Sequence, residues 1–257
     1  MPIVPISLLA LSSAISSAQT LSEKVAQGGS ITIAPGTYDE QLAIEKDNVF
    51  VSAYNVILKK PILIRGQHVR LEGITVEGSE IGVQMVRGQG SSLRDVNCSK
   101  CGVGFLFAGR EESKNTQVTY STFQNCIAME CKVGWEFDST ATVARSWFNA
   151  NTLINCCARG CDVGWQTIGE EPNFSYNSFY GGSSEKCKVL LDMPHANDVT
   201  FFGCHMVCSD PTDPIILGRH CRIVGGRWIG TIPKTVVFWT GGQRLFNMQE
   251  LEKSINP

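Results

Sequence analysis

The chain has 257 residues, 43% of them hydrophobic, which is enough to bury one sizeable elongated core. Its 22 basic and 24 acidic residues leave a net charge of −2, and this excludes the basic footprint of a nucleic-acid binder. No low-complexity tract or linker divides the chain, so a single domain is expected.

The first stretch, residues 1–18, is apolar and rich in Ser and Ala, and ends Ser16-Ser17-Ala18. Small residues there suit a signal-peptide cleavage site, but no Lys or Arg precedes the apolar run. The run is too short and too Ser-rich for a membrane span. Residues 1–19 are therefore read as an arm that attaches the chain to another subunit or a larger assembly. Residues 20–27 predict a short helix, with Thr20 as its cap and Glu23 completing a capping box. Such a helix would cover the open edge of the first sheet.

Strand-like runs follow at Ile31-Thr32-Ile33, Asn48-Val49-Phe50-Val51 and residues 68–76. Next comes a repeat. Cys101, Cys131 and Cys161 recur at a step of 30 residues, as do Val103, Val133, Val163 and Gly104, Gly134, Gly164. A fixed period of this size marks a stacked architecture. Val133-Gly134-Trp135-Glu136-Phe137 alternates large and small residues, which reads as strand. Val, Trp and Phe are expected to face in, and Gly134 and Glu136 to face out. Ile81-Gly82-Val83 is matched to Cys101-Gly102-Val103 at a step of 20, and Cys187-Lys188-Val189 follows Cys161-Asp162-Val163 at a step of 26. Strands that keep register while their connections vary describe a parallel β-helix, and no period-3.6 stripe competes with it. Asn97, Asn125 and Asn155 are expected at left-handed turns, hydrogen-bonded one to the next. Further strands are expected at residues 197–202 and 221–224. Residues 30–240 then make about eight or nine coils. Residues 241–257 form a C-terminal cap or tail, with a short helix expected from Asn247 to Ser254.

Eleven Cys is a large number. Most fall at equivalent coil positions, where a small, apolar, buried side chain fits, so free thiols are expected. Cys98-x-x-Cys101 has no partner pair, so no metal site is assigned.

Gly28-Gly29-Ser30-Ile31-Thr32-Ile33-Ala34-Pro35-Gly36-Thr37-Tyr38 resembles the opening coil of the pectate-lyase-like superfamily of right-handed parallel β-helices. The recurring Asn-Cys…Cys-x-Val-Gly-Trp phrase resembles coils of phage tailspikes and related glycan-handling proteins. The fold expected over residues 20–240 is thus an all-β, single-stranded, right-handed parallel β-helix with a short N-terminal capping helix. The resemblance implies a virion structural protein on a tail or appendage, a homotrimer held to other virion proteins through residues 1–19. Its shaft would contact host-surface polysaccharide, with no nucleic acid, membrane span or cofactor. A secreted polysaccharide hydrolase or lyase is the alternative, and a capsid decoration protein a third.

Polar insertions follow the Val-Gly-Trp strands at 109–116, 138–145 and 169–173, forming one ridge in register. Loops on a rigid scaffold favour sites, so Arg110, Glu111, Lys114 and Arg145 are candidate glycan contacts. One outward column aligns Leu106, Glu136, Gln166 and Asp192. Glu136 and Asp192, two coils apart, suit the spacing of an inverting glycosidase pair. Asp138, Glu170 and Glu171 complete the catalytic candidates. The motifs of pectate lyases and polygalacturonases are missing. Asp192-Met193-Pro194-His195 resembles the Asp-Pro-His-Asp motif of alginate epimerases, but its acids are displaced, so no role is assigned to it. Trp135 and Trp165 are expected in the core.

Overall fold

The computed structural model describes residues 19–108, 117–140, 147–169, 174–208, 215–230, 235–239 and 243–247. All but Gln19 of the expected arm at 1–19, most of each insertion and all but Asn247 of the expected closing helix lie outside them, and Asn247 ends a strand instead. The described chain is a parallel β-helix. One wall stacks nine strands in order: Leu42–Ile44, Ile62–Ile64, Ile81–Met85, Val103–Ala108, Val133–Asp138, Val163–Ile168, Val189–Asn197, Ile215–Arg219 and Thr235–Trp239. A last strand, Gln243–Asn247, turns back antiparallel.

The N-terminal helix α1, Leu21–Val25, has the expected capping box between Thr20 and Glu23. Leu21 and Val25 are buried. Ser22 Oγ accepts the Ala43 N–H at 2.9 Å and donates to the Gln41 carbonyl at 2.8 Å. The helix therefore satisfies backbone groups of the first strand that would otherwise template another chain.

Residues 117–138 show how one coil is built. Strands Gln117–Thr119, Thr122–Gln124, Ile127–Met129 and Val133–Asp138 are separated by single left-handed corners at Tyr120 (φ 54°), Asn125 (φ 52°) and Glu130 (φ 54°). Each corner stacks on its equivalent in the next coil, so a conformation that disfavours side-chain-bearing residues recurs in columns. The middle column is Asp95, Asn125 and Asn155, in which Asn155 Nδ2 donates to Asn125 Oδ1 (3.5 Å) and Asn125 Nδ2 to Asp95 Oδ1 (3.0 Å). The asparagine ladder is thus present, with one correction. Asn97 is not a corner residue but lies on the strand Asn97–Ser99, opposite Thr75 and Ile127. Asp95 takes the place expected for it.

The residue after each corner turns inward and meets a carbonyl of the preceding coil. Asn151 Nδ2 donates to the Val118 carbonyl (2.9 Å) and Asn177 Nδ2 to that of Phe148 (2.7 Å), while Ser121 Oγ donates to that of Gly88. At the other two corners the donor is a thiol. Cys126 reaches Leu93 O (3.5 Å), Cys156 reaches Phe123 O (3.4 Å), Cys131 reaches Cys98 O (3.8 Å), and Cys161 reaches Ala128 O (3.8 Å). In every case the acceptor lies two residues before the corner of the coil below. A chain that turns sharply frees an inward carbonyl, and a small side chain with a donor answers it. This accounts for the cysteine columns.

Inside, Phe105, Trp135 and Trp165 stack with ring centroids 4.0 and 4.7 Å apart, and Phe107 stacks on Phe137 at 4.7 Å. Both tryptophans are in the core, as expected. The orientation of Val and Gly is the reverse of that expected. A Cβ on Gly134 would lie 2.9 Å from the Ala158 Cβ and 2.6 Å from the Gly164 carbonyl oxygen, so Gly134 faces in. Val133 is only half-buried and outside the core cluster. The strand bends at the glycine, leaving Gly134 and Trp135 both inward. The step from the first coil of this phrase is also corrected, since Ile81 pairs with Val103, 22 residues on.

Candidate functional site

The outward column runs Gln84, Leu106, Glu136, Gln166, Asp192, Ile216 in register. Glu136 alternates with inward Trp135 and Phe137, so its side chain leaves the core. It is nonetheless only 7% exposed, and Asp138, two residues on, only 2%. Leu106 is likewise buried outside the core cluster. The outer surface here is enclosed rather than open.

Asp138 Oδ1 accepts from the Thr140 N–H (2.9 Å) and hydroxyl (2.6 Å). This local turn orders the chain as it leaves the strand and gives Asp138 structural work. Glu136 and Asp192 are two strands apart, so their backbones are about 9–10 Å apart from the strand spacing. Gln166 lies between them. Candidates Glu170, Glu171, Arg110, Glu111, Lys114 and Arg145 lie outside the described residues.

The structure adds His195. The pairing of Val189–Asn197 with Ile215–Arg219 is interrupted between Met193 and Asn197. Pro194 and His195 fall in succession between buried Met193 and Ala196. The His195 N–H donates to Thr167 Oγ1 at 3.1 Å. Burial raises the Asp192 carboxyl from its ordinary value, with the His195 charge acting against it. Burial likewise lowers the His195 imidazole, opposed by Asp192. Burial thus disfavours the charged form of both groups, while their mutual attraction opposes that shift. Its sequence signal was the Asp-x-x-His spacing, which becomes meaningful only with the interruption that brings the two into interaction. Among the described residues no three metal-ligating side chains converge, and no helix is long and apolar enough to cross a membrane.

Searches of protein-family profiles, curated proteins and solved structures gave no match.

Proposed function

We propose that this chain is a structural shaft of virion-appendage type that associates side by side with copies of itself, attaches through residues 1–19 and contacts host-surface glycans. The observation that carries this reading is an apolar stripe on the outer wall. The column Glu72, Arg94, Gln124 is polar, but its continuation in register is Ile154, Tyr180, Phe202, Val224. Tyr180, Phe202 and Val224 are 44%, 36% and 48% exposed, and the Tyr180 and Phe202 rings stack at 5.1 Å. Contiguous apolar surface of this kind marks interaction sites more often than free surface. The test is molar mass by light scattering on the full chain and on a chain lacking residues 1–19. A trimer in both supports association through the wall, and a monomer in both rejects the proposal. Co-sedimentation with purified host polysaccharide tests the glycan contact separately.

The Asp192–His195 pair favours a second reading, a polysaccharide hydrolase or lyase in which Asp192 donates a proton and Glu136 acts opposite it. On that reading Glu136→Gln and Asp192→Asn each slow release of reducing ends by roughly 10²–10⁴-fold. A capsid decoration protein, the third reading, would associate without retaining polysaccharide.

A further inference from the structure

On the sheet that carries the apolar stripe, the corner ladder stops abruptly. Its donors all point one way, from Asn155 to Asn125 to Asp95, and the next corner in register is Gly73 (φ 76°), which has no side chain to continue it. Asp95 makes no other side-chain hydrogen bond among the described residues. The neighbouring strands explain the gap. Phe50–Leu58 pairs with Arg70–Glu77 through Ser52↔Glu72 and then Val56↔Ile74, so Ala53, Tyr54 and Asn55 together oppose Gly73 alone. The surplus chain is pushed outward. Tyr54 is 48% exposed, and its ring lies over Gly73 so closely that any Cβ there would collide with it. Asn55, in the left-handed region at φ 60°, is exposed beside it.

Tyr54, Asn55, Gly73, Thr75, Asp95 and Asn97 border an open groove of about 430 Å³. Grooves of this size accept small ligands. Asn97 Oδ1 is buried with no hydrogen-bond partner among the described residues, an arrangement with a desolvation cost until a donor reaches it.

We infer that this groove is a saccharide subsite, in which a pyranose ring lays its apolar face on Tyr54 and donates hydroxyl hydrogen bonds to Asp95 and Asn97. The ligand class follows from the inventory. The groove offers a carboxylate, amide oxygens and an aromatic face, so its ligand carries several donors on a flat apolar body. Asp95 repels an anion. An organic cation would find only Asp95 and the Tyr54 face, since the nearby Arg94 is paired with Glu72, and would leave the amide oxygens of Asn55 and Asn97 without donors. The site rests on the glycan-contact reading above for its ligand class, but not on the Glu136–Asp192 column or on association of subunits.

The test is saturation-transfer NMR on the full-length chain with methyl pyranosides of gluco, galacto, manno and rhamno configuration, and with tetramethylammonium as the cationic probe. At least one pyranoside is expected to bind. Tyr54→Ala and Asp95→Asn are each expected to weaken it about tenfold, the equivalent of one lost charge-assisted or stacking contact. Tyr54→Phe, which keeps the ring, is expected to bind as the parent does, and Tyr120→Ala, which removes an exposed tyrosine elsewhere, to leave binding unchanged. Asn replacement at 95 retains an acceptor for Asn125, so the ladder survives. Binding lost in Asp192→Asn but kept in Tyr54→Ala overturns the subsite while sparing the glycan reading. Binding of tetramethylammonium alone overturns the ligand class, and no binding of any probe overturns the subsite.

Discussion

Gly134 is a position where one methyl group has nowhere to go. Its Cβ would press on a backbone carbonyl and on Ala158, neither the end of a flexible chain. Gly134→Ala is expected to lower stability by about 1–3 kcal/mol, measured by denaturant unfolding, whereas Val133→Ala, on the half-buried outer side, should cost less. The thiols give a second test. Cys98, Cys126, Cys131, Cys156 and Cys161 are buried, whereas Cys157 is only partly so. Burial also pushes the Cys204 thiol up to about 12 and Cys221 up to about 11. In a native thiol titration Cys157 should react first among the described side chains, and the buried columns only on unfolding, because a reagent reaches a partly exposed sulfur before a buried one. Asp192 gives a third. An acid whose carboxyl is raised in the folded state binds its proton more tightly there than when unfolded. Stability therefore falls as pH rises from the ordinary Asp range, near 3.9, through the raised value, and stays lower above it. Asp192→Asn should remove that fall. Unfolding midpoints of the two proteins compared at about pH 3 and pH 7 should differ mainly at the higher pH.

At the level of the coil, corners rather than strands carry the specificity. Asn125 combines a left-handed backbone with two links of the ladder, so Asn125→Ala should cost about 1–2 kcal/mol, and Asn125→Gly less, because glycine restores the backbone while still losing the bonds. Thermal unfolding of the two variants would separate these contributions. Asn125 and Asn155 could be read from the sequence because Asn is the side-chain-bearing residue that most readily adopts that geometry, whereas the corners at Tyr120 and Glu130 carry no such signal. Asn97 misled because the Asn-Cys pair at 97–98 copies the wording at 125–126 but is offset from the true period, and Cys98 in fact pairs with Ala128. The inward glycine escaped a reading by strict alternation because a bend within the strand breaks it. The pairing of thiols with corner carbonyls was hidden for another reason, since carbonyl directions leave no trace in side-chain pattern. At the candidate site the column Leu106, Glu136, Gln166, Asp192 was legible from the repeat. The enclosure of Glu136 was not, because it depends on what lies across the surface, and the coupling of Asp192 to His195 was not, because it depends on the interruption of pairing after Met193.

For the whole molecule, the coil is the unit that can be removed. Deleting residues 131–160 joins Glu130 to Cys161, and the residue it replaces before Cys161, Gly160, has the same left-handed backbone (φ 54° and 63°). The shortened chain should fold with an unchanged type of circular dichroism spectrum, whereas deletion of half a coil should abolish the cooperative transition, because stacked repeats are stable through their neighbour interfaces. The same equivalence has a consequence for assembly of the chain. Val103, Val133 and Val163 offer one another interchangeable partners, so a strand that docks one coil too early makes the same bonds as one that docks correctly. The coils on either side remove the ambiguity, because the steps of 22 and 26 residues that bound the run differ from the 30 within it. The irregular coils therefore act as the key that assigns each strand its address, and the most regular part of the molecule depends on the least regular for its order.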